Sequence, residues 1–75
     1  MEYVEFKAEI TPLEIGRDIL IAELAEIGFE SFVENQTGVE AYIQKAEYNE
    51  ALIKTMGIIS NPNFKINYTT KQIAD

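Results

Sequence analysis

Eight successive residues, 3–10, alternate without a break: Val4, Phe6, Ala8 and Ile10 are apolar, whereas Tyr3, Glu5, Lys7 and Glu9 carry polar or charged groups. A period of two is the pattern of a strand with one buried face, so the rest of the chain must supply a layer that covers it. The next residues do so. Thr11-Pro12-Leu13-Glu14 reads as a helix start, with Thr11 as N-cap, Pro12 at the first helical position and Glu14 closing a capping box, and Ile10 and Ile15 take the two staple positions. Over residues 12–27, Leu13, Gly16, Leu20, Leu24 and Ile27 share one arc, with Glu14, Asp18, Ala25 and Glu26 largely opposite. This predicts an amphipathic helix lying on a sheet. Gly28 then falls where a left-handed residue ends a helix, with Phe29 folding back onto the last turn.

Residues 30–35 read as a second strand. Phe32 and Val33 are adjacent and must point to opposite faces, and the reading takes Phe32 as the buried one. Gln36-Thr37-Gly38 supplies a tight turn, with Gly38 expected at positive φ, and Val39, Ala41 and Ile43 then alternate with Glu40, Tyr42 and Gln44. The two strands form a hairpin. Residues 47–56 read as a second helix with Tyr48, Ala51, Leu52 and Met56 on one side and Gly57 as its stop, although Lys45 and Ala46 offer a poor N-cap. After a turn at Ser60-Asn61-Pro62-Asn63, Phe64, Ile66 and Tyr68 alternate in a last strand, while residues 71–75 carry no pattern and read as the start of a linker.

The order β-α-β-β-α-β with right-handed crossovers puts both helices on one face of a four-stranded antiparallel sheet. The expected fold is therefore α+β, a ferredoxin-like two-layer sandwich over residues 1–70, with the first and third strands central. A helix of this length spans ~24 Å at 1.5 Å per residue and an eight-residue strand ~26 Å, so the layers match end to end. At 75 residues the chain holds one small domain and buries only about 60% of its unfolded surface, which leaves few side chains for chemistry.

Composition narrows the function. Thirteen acidic against six basic side chains give a formal charge of -7, which repels phosphate backbones and anionic lipid and attracts a basic partner. The chain has no Cys and no His, hence no thiolate or imidazole chemistry. No apolar run approaches the ~18 residues of a membrane span, and the chain opens on a strand pattern in place of a signal peptide, so a cytoplasmic location is expected. On the open face of the sheet the central strands offer Glu5, Lys7 and Glu9 beside Glu40, Tyr42 and Gln44; one Tyr among acids is no platform for RNA bases. The loop after the first strand, Ile10 to Leu13, has neither the paired Cys of a soft-metal carrier nor a cation for an acyl phosphate, the nearest being Arg17. Gly16, Gly28, Gly38 and Gly57 stand far apart and build no cofactor loop. Glu23 with Glu26 and Glu47 with Glu50 read as solvated acidic helix faces, not metal ligands. Tyr42 and Tyr3 are candidate interface anchors, and Glu5, Glu9, Glu40 and Tyr42 are taken as the partner-binding set.

The segment Arg17-Asp18-Ile19-Leu20-Ile21-Ala22-Glu23-Leu24-Ala25-Glu26-Ile27-Gly28-Phe29-Glu30-Ser31-Phe32, followed by Glu34, Gly38 and Ala41-Tyr42-Ile43, resembles the N-terminal domain of a bacterial protein lysine methyltransferase family, the ribosomal protein L eleven methyltransferases of PrmA type. The resemblance covers essentially the whole chain. It implies a ferredoxin-like substrate-recognition domain, joined by a linker to a separate Rossmann-type domain that binds S-adenosylmethionine and methylates amino groups of a basic large-subunit ribosomal protein. The chain stops at Asp75, before that linker and catalytic domain, so no cofactor or catalytic residue is carried over: the fragment is expected to be non-catalytic and cofactor-free, a monomer or weak dimer. The alternative reading is a regulatory or oligomerisation module of the same fold, such as an amino-acid-sensing domain, for which polar groups at the strand-to-helix turn around Thr11-Pro12 are the candidate feature.

Overall fold

The alternation over residues 3–10 becomes β1 (Glu2–Thr11) in a computed structural model that describes residues 2–74. It is followed by α1 (Leu13–Glu26), β2 (Ser31–Glu34), β3 (Gly38–Gln44), a single 3-10 turn (Lys45–Glu47), α2 (Glu50–Lys54), α3 (Gly57–Ser60) and β4 (Lys65–Ala74). The sheet order is β2-β3-β1-β4 with every neighbouring pair antiparallel, the arrangement of a ferredoxin-like sandwich with β1 and β3 central. Val4, Phe6, Ala8 and Ile10 of β1 and Val39, Ala41 and Ile43 of β3 bury against Leu20 and Leu24 of α1 and against Ile53, Met56 and Ile58. Phe6 lies at the centre, with Tyr68 stacked on it at 5.0 Å and Phe29 edge-on at 5.9 Å. Phe32 packs against this core and Val33 is exposed, as the strand reading had it.

The end of α1 follows the expected cap. Gly28 takes φ 107°, the Phe29 N–H donates to the Leu24 carbonyl at 3.1 Å and the Gly28 N–H to the Ala25 carbonyl at 3.3 Å. These are the two bonds of a Schellman motif. The start of α1 departs from expectation. Thr11 is not the N-cap, because it stays in β1 paired with Lys65; Pro12 takes that position with ψ 144°, no side chain caps the helix, and the Pro12 carbonyl receives the Gly16 N–H at 3.1 Å. The hydrophobic staple is absent as well, since Ile15 is 58% exposed and Ile10 packs against Gly16.

Gly38 does not adopt positive φ. The turn is closed by the Asn35 side chain, whose Oδ1 accepts from the Gly38 N–H at 2.8 Å and the Thr37 N–H at 3.1 Å. Gly38 is needed for a different reason, because a Cβ there would fall onto the Ala8 carbonyl of β1.

The expected second helix over residues 47–56 is broken. Tyr48 and Asn49 are extended, and the Asn49 side chain accepts from the Ala51 N–H at 3.0 Å, so α2 begins at Glu50, three residues later than expected, with a proper cap. Met56 is extended again, and Gly57 opens α3 where a stop was expected. The breaks rotate the buried set: Ile53, Met56 and Ile58 enter the core, while Ala51 and Leu52 face solvent. Residues 71–74, read from the sequence as the start of a linker, continue β4 and pair with Glu5, Val4, Tyr3 and Glu2 of β1; Asp75 lies outside the described residues.

Candidate functional site

Register places Tyr42 of β3 directly opposite Glu5 of β1 on the open face. The Tyr42 hydroxyl donates to Glu5 Oε2 at 2.9 Å, with Glu40 Oε1 as a second acceptor at 3.2 Å. One proton thus serves two carboxylates, and phenolate formation beside them is opposed. The bond to Glu5, followed by burial and the Glu5 charge, with Glu40 adding the remainder, pushes the Tyr42 pKa up to about 12. Of the four residues taken as the partner-binding set, the structure brings together Glu5, Glu40 and Tyr42. Glu9 lies further along β1, opposite Gly38 and Asn67, and is not bonded to Tyr42.

Because β4 runs through Ala74, it completes the open face with Lys65, Asn67, Thr69, Lys71 and Ile73, Lys71 standing opposite Glu5. Three carboxylates, Glu5, Glu9 and Glu40, are therefore matched by Lys7, Lys65 and Lys71. Sequence reasoning placed only Lys7 near them: it had Lys65 in the last strand, at the edge of the sheet, and left Lys71 out of the sheet. The acidic excess sits elsewhere. Residues 13–34 carry Glu14, Asp18, Glu23, Glu26, Glu30 and Glu34 against Arg17 alone, which accounts for most of the -7.

Two of these charged groups have structural work. Arg17 Nη1 donates to the Asn35 carbonyl at 2.7 Å and its Nε lies 3.5 Å from Glu34 Oε1, which ties α1 to the β2–β3 turn. Glu23 accepts from the Ile58 N–H at 3.1 Å and so caps the first turn of α3 from the neighbouring helix. The sequence reading of Glu23 as part of a solvated face missed this, because the cap spans 35 residues of chain. Among the described residues no group of three or more acidic, His or Cys side chains is placed to hold a metal, and no helix is long and apolar enough to cross a membrane.

Over its whole length the chain is 43% identical to a ribosomal protein L11 methyltransferase of Bacteroides fragilis, across 77 aligned residues that make up 28% of that protein. A ribosomal protein L11 methyltransferase of Phocaeicola vulgatus is 39% identical over 79 residues, again covering all of this chain and 27% of that protein. The chain belongs to this family. It corresponds to the N-terminal part of the ribosomal protein L11 methyltransferases and spans little more than a quarter of the length of these relatives. A third member, from Porphyromonas gingivalis, is 49% identical over 49 residues, which cover 57% of this chain and 17% of that protein. No family model matches the chain, and no solved structure matches it significantly. Within this member of the ribosomal protein L11 methyltransferase family, the run Glu26-Ile27-Gly28-Phe29-Glu30-Ser31-Phe32 forms the α1 cap and the entry to β2, so these residues secure a joint between helix and sheet.

Proposed function

We propose that the chain is the substrate-recognition domain of an S-adenosylmethionine-dependent protein methyltransferase, non-catalytic by itself, which holds a basic large-subunit ribosomal protein for methylation by a separate domain in the cytoplasm. The observation that carries this reading is relationship across the entire chain to proteins named ribosomal protein L11 methyltransferases, of which the chain spans only a small part. The chain's residues do not fit the cofactor itself. Its glycines lie inside α1, at the α1 cap, at the start of β3 against Ala8 and at the start of α3, so none opens a backbone loop to a nucleotide.

Charge supports a division of labour between two surfaces. The uncompensated carboxylates of α1 and the segment after it steer a basic partner, while Tyr42 with Glu5 and Glu40 gives a local contact on the open sheet face, flanked by Glu9. Binding kinetics against the ribosomal protein at two salt concentrations test both roles. Glu26→Lys is expected to slow association at low salt, and Tyr42→Ala to speed dissociation, weakening affinity by ~1 to 2 kcal/mol. Absence of binding by the unaltered chain overturns the reading.

A further inference from the structure

The groove between the end of α1 and the α2–α3 pair differs in charge from the clefts along the sheet. Lys65, Lys7 and Lys45 each line one of those clefts. In the helix groove, about 410 Å³ in volume, the charged side chains are Glu23 and Glu26, and no lysine or arginine lines it. Lys54 of α2 is paired with Glu50 instead. The apolar wall includes Ile27, which is half-buried, and Leu52, a large apolar side chain that the fold leaves 41% exposed. Glu23 is half-buried; its Oε1 accepts from the Ile58 N–H, whereas Oε2 has no hydrogen-bond or ion-pair partner among the described residues. That oxygen lies beside Gly57, where a Cβ would stand 3.4 Å from it, so the missing side chain leaves the oxygen open to the groove.

We propose that this groove seats one lysine or arginine side chain of the basic protein partner, its aliphatic stem on Leu52 and Ile27 and its charged head on the carboxylates of Glu23 and Glu26. The inference rests on the ribosomal-protein reading and gives it a contact surface. A basic side chain matches both parts of the groove, because its stem lies along apolar surface while its head stays at the hydrated rim. The head supplies Glu23 Oε2 with a donor and offsets the repulsion between two carboxylates three residues apart on α1. A neutral side chain leaves both carboxylates without a cation, and an acidic one is repelled. A bare metal ion gains nothing from Leu52 and Ile27. The volume falls in the lower half of the ~300 to 1,000 Å³ range of binding pockets, which suits a side chain and not a helix.

Surface binding kinetics test it, with ribosomal protein L11, the protein in the relatives' names, as the probe. Glu23→Gln keeps a carbonyl acceptor for the Ile58 N–H and removes the charge, and it is expected to raise the dissociation rate about tenfold, the effect of one charge-assisted hydrogen bond. Leu52→Ser, at an exposed position, raises it about threefold to fivefold, and does so equally at low and high salt because the lost contact is apolar. One side chain makes both contacts, so the double variant loses less than the product of the two effects. Ile15→Ser, at an exposed apolar position on α1 outside the groove, leaves the rates unchanged. Failure of the unaltered chain to bind L11 overturns the ribosomal-protein reading and this inference with it. Binding by the unaltered chain with unchanged dissociation in Glu23→Gln and Leu52→Ser, or with fully multiplicative losses in the double variant, overturns the groove alone.

Discussion

Gly16 of α1 and Ile10 of β1 are packed so closely that a Cβ on Gly16 would sit 2.8 Å from both Cγ1 and Cδ1 of Ile10, with Phe64 Cδ1 at 3.3 Å. Ile10 is 3% exposed and has little room to turn aside. The missing side chain is therefore what lets α1 reach the sheet at its first turn. Gly16→Leu is expected to destabilise the chain by ~1 to 3 kcal/mol through overpacking, despite the better helix propensity of Leu. Urea denaturation measures it, and an unchanged or raised midpoint would show that the helix stands further from β1.

Gly38 and Gly57 form a contrasting pair. A Cβ on Gly38 meets the Ala8 backbone, which cannot yield without parting β1 from β3, whereas on Gly57 it meets only the Glu23 carboxylate at an ordinary 3.4 Å. Gly38→Ala should cost ~2 to 4 kcal/mol. Gly57→Ala, in the first turn of a helix, should be neutral or stabilise by up to ~1 kcal/mol. Comparable losses in the two variants would contradict the packing described.

The Glu23 cap on α3 predicts a local effect with a small global one. Glu23→Ala removes the acceptor of the Ile58 N–H, and hydrogen exchange at Ile58 should accelerate while overall stability falls by ~1 kcal/mol. Glu23→Gln keeps a carbonyl acceptor and should restore most of the protection. If Ala and Gln behave alike, the cap contributes nothing.

Tyr42 links the sheet face to pH. Its pKa is raised from 10.0 to about 12, mainly by the bond to Glu5, so the folded chain holds the phenol proton more tightly than the unfolded chain. The stability this contributes is fully present below pH 10 and is lost as pH rises toward about 12. The phenolate absorbance difference between the unaltered chain and Tyr42→Phe isolates the titration. Glu5→Gln should move it downward more than Glu40→Gln does, and equal shifts would place the shared proton midway between the two carboxylates.

Local pattern carried much of this fold. The alternation of residues 3–10, the apolar arc of Leu13, Gly16, Leu20 and Leu24, and the placement of Gly28 each specify an element through interactions within a few residues of chain, and each appears where the pattern puts it. The broken second helix was less legible. Its period admits a continuous turn, but the Asn49 side chain competes for the Ala51 N–H, and Ile53 gains more from the core than Leu52 does from a regular wheel. The site was legible only in part. Glu5 and Tyr42 could be assigned to one face from their periods, yet their alignment depends on the β1–β3 register.

What the sequence determined by itself was the order of the four strands and of the first helix among them, the buried face of each central strand and the acidic sign of the whole. Tertiary structure alone decided that residues 71–74 are strand and that Lys71 stands opposite Glu5 and makes the open face charge-balanced. The reason is sequence separation. A strand such as Lys71-Gln72-Ile73-Ala74 has too weak an alternation to declare itself, and is stabilised only because β1, more than sixty residues earlier, presents a ladder of unpaired backbone groups for it to complete.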